Sequence, residues 1–273
     1  MPVVTLAIAS QKGGVGKTTL CVNLAYAMAS RGWHTLLLDT DPQGSVGLSL
    51  SRKAQDRCGF YDAVHSDLRV DELVQPTRLP ELQILTSGQN VSFFDSALDP
   101  DRADSEVKEI FRVLGQRGYD LVIADTPAGL SGYTGQILKC ADFVVVPQQA
   151  EPLGARSIPH VLGALKQLHN EGHKVKLLGI LLTMMQNDSE ACQSVVEELR
   201  EILPGDYLLR DVIPRDAEFL EASAKGVPLA LLRENPPSSA IVFEKLAADL
   251  ERRMSLRKQE DGTEEQAHTP LMD

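Results

Sequence analysis

No C-x-x-C pair occurs in this chain; its four cysteines, Cys21, Cys58, Cys140 and Cys192, are scattered. That spacing argues against a cysteine-ligated zinc or iron–sulfur site within one chain, and it fits free or buried thiols in a reducing cytoplasm. No apolar run approaches the roughly 18 residues of a membrane-spanning helix. The opening stretch MPVVTLAIASQKGG has neither a basic start nor a small-residue cleavage site, so a secretory signal is not expected. No repeat recurs at solenoid spacing. Net positive charge is missing too: the formal charge is −11 over 273 residues. Lys258–Asp273, with five acids and one lysine, carries −4 of it, and the body stays acidic without that segment. Nucleic acid or anionic lipid would therefore need a local basic patch, since the molecule as a whole repels both.

What is present is alternation. Apolar runs of strand length stand at Val3–Ala9, His34–Asp41, Leu82–Ser87, Tyr119–Pro127, Asp142–Gln148, Val175–Met185 and Tyr207–Pro214. Helix-period segments lie between or after them, at Thr18–Arg31, Asp104–Gln116, Ile158–His169, Ser189–Ile202 and Ala240–Met254. Continuous apolar strands alternating with helices predict an α/β fold: a doubly wound, mostly parallel sheet of about seven strands, covered on both faces. One domain, residues 1–254, accounts for all of them. The polar, acidic remainder, 255–273, reads as a disordered tail.

The stretch SQKGGVGKTT (Ser10–Thr19) falls between the first strand and the first helix. The usual phosphate-loop pattern, G-x-x-x-x-G-K-[ST], fails here, because its first glycine would fall on Gln11. Gly13, Gly14 and Gly16 nevertheless free the backbone, with that of Val15, to turn N–H groups towards phosphate oxygens. The following helix presents its positive end to the same anion. Lys17 is placed for the β- and γ-phosphates, Thr18 can offer its hydroxyl to Mg²⁺, and Thr19 completes the turn into the helix. A second lysine, Lys12, opens the loop. It is either a solvated loop cation or a group aimed away from its own phosphates.

Two further stretches put carboxylates at strand ends, where open parallel sheets gather their ligands. LLLDTDPQGS carries Asp39 and Asp41, and YDLVIADTPAG carries Asp125. An aspartate before proline is also a common turn starter, which would explain Asp41 alone. Asp125 has the position of a carboxylate that holds Mg²⁺ through water.

With these carboxylates, the loop KGGVGKTT resembles the deviant phosphate loop of the ParA/MinD superfamily of P-loop ATPases, from about Val3 to Met254. The resemblance implies ATP and Mg²⁺ as ligands and a homodimer with two ATP molecules between its subunits. Lys12 would reach the partner's nucleotide. Asp41 would orient the attacking water and Asp39 would support the metal. Gln43–Gly47 and Thr126–Gly132 would be the switch segments. Gln186, Pro214 and Asp216 would lie near the base. The resemblance is closest to the superfamily's ParA branch, and it implies a slow ATPase that binds nucleoid DNA non-specifically and positions a plasmid, chromosome or protein cargo, with hydrolysis stimulated by a partner protein. DNA candidates by this resemblance are Arg210, Arg215, Lys225 and Arg233, although Gly205–Arg233 also holds five acids and so reads equally as a solvated mixed-charge surface. A MinD-like membrane switch needs a basic amphipathic end helix. LERRMSLRK offers four cations but only Leu250, Met254 and Leu256 as apolar anchors. An iron-protein-type cluster carrier would need cysteines from two subunits to meet. The expected location is cytoplasmic, on the nucleoid.

Overall fold

A computed structural model describes residues 3–50, 57–66, 68–89, 100–151 and 157–257, without the side chains of 100–103. The acidic tail from 258 onward, and residues 152–156, lie outside the described residues.

The strands are β1 (Val4–Ser10), β2 (Thr35–Asp39), β3 (Gln75–Pro76), β4 (Leu82–Leu85), β5 (Leu121–Ala128), β6 (Phe143–Gln149) and β7 (Lys176–Thr183). They form one seven-stranded sheet in the order β3-β4-β2-β5-β1-β6-β7. Every pairing is parallel except β3 with β4. The principal helices are α1 (Lys17–Ser30), α2 (Ser45–Leu50), α3 (Phe60–His65), α4 (Val70–Leu73), α5 (Pro100–Leu114), α6 (Tyr133–Cys140), α7 (Ile158–Asn170), α8 (Glu190–Ile202), α9 (Glu218–Lys225) and α10 (Ile241–Met254).

The two-residue period of a strand sorts its side chains onto two cores. Leu6, Ile8, Leu37, Ile123 and Val145 pack on one face with Leu20, Leu24 and Met28 of α1 and Phe243, Leu246 and Leu250 of α10. Ala7, Ala9, Leu36, Leu38, Val122 and Val144 pack on the other with residues of α3, α5, α6, α7 and α8. Strands buried on both faces must be apolar at every position, which is why their runs are continuous rather than alternating.

The expected strand at Tyr207–Pro214 is a correction. That segment forms no ladder but isolated bridges, Leu208 with Ile180 of β7 and Pro214 with Met185 just beyond it. Three backbone bonds support it: Leu209 N–H to the Ile180 carbonyl at 2.9 Å, Ile213 N–H to the Leu182 carbonyl at 2.9 Å, and Met185 N–H to the Ile213 carbonyl at 3.0 Å. The chain bulges between them, and Pro214 has no N–H with which to continue a ladder. Close approach is possible because β7 carries Gly179: a Cβ there would lie 2.6 Å from the Leu209 side chain. The seventh strand is instead Gln75–Pro76, antiparallel at the sheet edge.

Candidate functional site

The carboxyl ends of β1, β2 and β5 converge on the start of α1. Asp39 and Asp125 are register partners on β2 and β5, and Asp125 also pairs with Ile8 of β1. The loop 11–16 leaves β1 and turns back into α1 through two left-handed glycines, Gly14 (φ 73°) and Gly16 (φ 88°). A side chain at either would be strained. Three hydrogen bonds fix the loop's path. Ser10 Oγ donates to the Lys12 carbonyl at 2.7 Å, Thr183 Oγ1 donates to the Val15 carbonyl at 2.9 Å, and the Gly129 N–H donates to the Ser10 carbonyl at 3.0 Å. Gly129 lies in the segment expected to be the second switch, so that segment is joined directly to the root of the loop.

Lys17 is buried, while Lys12 and Thr18 are half-buried and Gly13, Gly14 and Thr19 are exposed. Thr18 Oγ1 donates to Asp125 Oδ2 at 2.6 Å. Cys21, one turn further along α1, has its Sγ 3.6 Å from Asp125 Oδ1. Asp39 accepts the Asp41 N–H at 3.0 Å on one oxygen and the Val46 N–H at 3.1 Å on the other. Asp39 thus ties the segment expected to be the first switch, and the start of α2, to the sheet. Asp41, half-buried, accepts the Gln43 N–H at 2.9 Å.

Asp39 and Asp125 are fully buried. Burial pushes the Asp125 carboxyl up to about 7; the charge of Asp41 adds to this, while the Thr18 hydrogen bond and Lys17 oppose it. Burial and then Asp125 push Asp39 up as well, against the pull of the backbone N–H groups of Asp41 and Val46. The Cys21 thiol is pushed up by burial first and by Asp125 next, so it behaves as an inert buried thiol rather than a nucleophile. A site holding buried carboxylates beside a hydroxyl, with one buried lysine, is short of positive charge. Hard oxygen donors of this kind suit Mg²⁺. Among the described residues no group of three or more His, Cys, Asp or Glu side chains could hold a metal by itself. Phosphate oxygens and water would have to complete the shell, which is the usual condition for Mg²⁺.

The expected base-side residues come together at the end of β7. Pro214 bridges Met185, the Arg215 N–H donates to the Met185 carbonyl at 3.0 Å, and Gln186 follows directly. Gln186 is exposed and Pro214 and Asp216 are half-buried, with Asp216 accepting the Glu218 N–H at 2.9 Å. Thr183, which holds Val15, ends the same strand, so this cluster is continuous with the phosphate loop. The expected DNA contacts divide. Lys225 pairs with Glu221, and Arg233 pairs with Glu218 and Glu221. Arg210 and Arg215 are exposed and form no ion pair among the described residues.

The sequence of a family described as an AAA domain matches residues 3–180. A chromosome partitioning protein ParA from Myxococcus xanthus is 34% identical over 231 residues, covering 83% of this chain and 80% of that protein. The chain belongs to the ParA/MinD superfamily of P-loop ATPases, close to the ParA-like partition proteins. Solved structures of the superfamily share its fold at lower identity. A Cyanothece McdA variant in complex with ATP has a TM-score of 0.80 at 18% identity, covering 94% of this chain and 98% of that one. The septum site-determining protein MinD of Pyrococcus horikoshii, complexed with Mg-ADP, has a TM-score of 0.71 at 23% identity, covering 94% and 99%.

Three residues that brace this ParA-like protein's loop and strand ends, Thr40, Tyr61 and Thr183, were not expected from the sequence. Thr40 Oγ1 donates to the Asp125 carbonyl at 2.7 Å, and the Tyr61 hydroxyl donates to the Thr40 carbonyl at 2.6 Å. These side chains brace the backbone beneath Asp39 and Asp125. Thr40 stands between the two aspartates of DTD, so its position was a usable signal. Tyr61 and Thr183 act on residues far away in the chain and carry none.

Proposed function

We infer that this chain is a ParA-like positioning ATPase that binds ATP with Mg²⁺, closes as an ATP-sandwich homodimer, and binds DNA without sequence preference until a partner protein stimulates hydrolysis. One observation carries the reading: Thr18 and Asp125 are joined at 2.6 Å beside buried Lys17, under a loop turned by Gly14 and Gly16. Those groups are the ones that would meet a triphosphate and its metal. Thr18 would offer the metal a hydroxyl, with Asp125 and Asp39 acting through water. Bound Mg²⁺ would neutralise charge developing on the phosphate oxygens.

Lys17 would hold the β- and γ-phosphates, and Asp41 would orient the attacking water. Lys12 would reach the nucleotide of the facing subunit, so that closure depends on triphosphate: without it, two cationic loops repel. The complexes of relatives with ATP and with Mg-ADP support nucleotide and magnesium as ligands. Gln186, Pro214 and Asp216 form the proposed base side.

DNA is favoured over a membrane as the surface by the fate of the last helix. Leu250 and Met254, two of the three apolar anchors a lipid-binding helix would need, are buried in the core, and Arg253 is tied to Asp249 and to the carbonyls of Leu178 and Asp206. Among the described residues no helix is long and apolar enough to cross a membrane. A cluster-carrier role has less support, since of the four cysteines only Cys58 is exposed, with Cys140 half-buried and Cys21 and Cys192 buried. Arg210 and Arg215 are the better placed DNA contacts, because Lys225 and Arg233 already serve acids.

A DNA-binding titration with ATP, ADP and no nucleotide, repeated across salt concentrations, tests the reading. Binding only with ATP, weakening linearly in log–log salt, is the expected result. Absence of DNA binding at low salt, together with sedimentation on anionic vesicles, would replace DNA by membrane.

A further inference from the structure

The direction in which Asp41 leaves the chain depends on the peptide plane before it, which the Thr40 carbonyl and the Asp41 N–H share. Side chains hold both ends of that plane. The Asp41 N–H donates to Asp39 Oδ1 at 3.0 Å. The Thr40 carbonyl accepts the Tyr61 hydroxyl at 2.6 Å, away from solvent. Thr40 is fixed from β5 as well, because its N–H and its Oγ1 donate to the Asp125 carbonyl at 2.9 and 2.7 Å. Past Asp41 the chain folds back, with the Gly44 N–H on the Asp41 carbonyl at 2.9 Å. Rotation of this plane would leave a buried carbonyl without its donor, which is costly.

Tyr61 is itself held rigidly. It is 1% exposed. Its helix, α3, is joined to the chain just after β4: the Phe60 N–H donates to the Thr86 carbonyl and the Tyr61 N–H to the Ser87 carbonyl, both at 2.8 Å. The ring meets Phe60 and Tyr133 edge-on, with centroids 5.2 and 5.1 Å apart, and stacks on His65 at 6.3 Å. Burial first, then Tyr133, Asp39 and Asp41, push the hydroxyl well above the ordinary tyrosine range, so it remains a donor. Tyr133 opens α6, directly after the segment expected to be the second switch. One side chain therefore joins the strand end that carries Asp41 to β4 and to the start of α6.

On the reading of Asp41 as the residue that orients the attacking water, we propose that Tyr61 is a positioning residue for ATP hydrolysis: by holding the Thr40 carbonyl, its hydroxyl aims the Asp41 carboxylate. It acts through Asp41 and exchanges no proton in the reaction. Tyr61→Phe removes the hydroxyl and keeps the ring with its contacts. The full chain is assayed with ATP and Mg²⁺ for phosphate release, with a fluorescent non-hydrolysable ATP analogue for affinity, and by urea unfolding. Turnover should fall by about tenfold in Tyr61→Phe, since misplacement by 1 Å is able to cost about 10²-fold. Analogue affinity should stay within about twofold of the parent, the split expected when ground-state binding is untouched. Tyr133→Phe is the control. It loses a hydroxyl 3.5 Å from His65 Nε2, beside the same ring but not on Thr40, and should turn over like the parent. Unchanged turnover in Tyr61→Phe would overturn the proposal, and so would an equal slowing in Tyr133→Phe. Loss of analogue affinity or of folding along with turnover would make the hydroxyl a structural bond only, and would overturn it too. Asp41→Ala, assayed alongside, separates the two failures. If it turns over normally, the reading of Asp41 falls; if it is slow while Tyr61→Phe is not, the role of Tyr61 alone falls.

Discussion

Replacing Asp125 by Asn should make the nucleotide-free protein more stable at alkaline pH, and the size of the gain follows from burial. The folded protein holds the Asp125 carboxyl at about 7, against an ordinary 3.8. Between those values the native state binds a proton that the unfolded state has released. Stability must then fall as pH rises through this window and level off above it. At 1.36 kcal/mol per pH unit, the full loss is about 4 kcal/mol. Asp39, also pushed up, acts in the same direction. The surface carboxylates held low by partners, Asp71, Asp104, Glu109 and Glu221, act oppositely but below the ordinary carboxylate range, so they do not mask the effect. The Asn side chain keeps an oxygen for the Thr18 hydroxyl. Urea unfolding of parent and Asp125→Asn at about pH 5 and about pH 8, without nucleotide or Mg²⁺, reads the difference directly. The variant should gain up to about 4 kcal/mol relative to the parent at the higher pH and roughly 1–2 at the lower, so its advantage grows by about 3 kcal/mol between the two. A parent whose stability rises from about pH 5 to about pH 8, or a variant with no relative gain, would refute the claim that this carboxylate is held buried and short of compensating charge.

Three other substitutions have expected outcomes. Thr18→Ala removes the hydroxyl bonded to Asp125 and should slow Mg²⁺-dependent phosphate release by about 10- to 100-fold or more. Asp41→Ala should retain ATP binding, measured with a fluorescent analogue, while hydrolysis drops by about 10²- to 10⁴-fold; normal turnover would end its role at the attacking water. Gly59→Ala would place a Cβ 2.1 Å from the Thr86 carbonyl oxygen and 2.6 Å from the Gly88 nitrogen, both backbone atoms that cannot rotate away. A loss of at least about 3 kcal/mol in chemical unfolding is expected there.

The parallel core was legible because burial on both faces left no choice of residue: Val3–Ala9 became Val4–Ser10, and Val175–Met185 became Lys176–Thr183. Strand ends were less legible. His34–Asp41 stops pairing at Asp39, whose carboxylate takes backbone donors from Asp41 and Val46 and turns the chain. Gln75–Pro76 was missed because a two-residue strand ending in proline has no apolar run to announce it. Tyr207–Pro214 was apolar enough to read as a strand, yet its apolar side chains serve packing against Gly179 rather than a ladder. The glycines and aspartates gathered at the carboxyl ends of β1, β2 and β5 were readable as residue types, because a left-handed turn selects glycine and the strand ends carry the carboxylates. The contact from Thr183 to Val15 was not, because it spans 168 positions of sequence and depends on how the sheet is assembled.

The central claim, that triphosphate closes two subunits through Lys12, is tested most directly by light-scattering mass with ATP and Mg²⁺, in the Asp41→Ala background so that nucleotide persists. The expected result is the mass of two chains with ATP, one chain with ADP, and one chain for Lys12→Ala under either nucleotide. A single-chain mass with ATP in the Lys12-containing protein, or a Lys12→Ala variant that pairs as well as its parent, would contradict it.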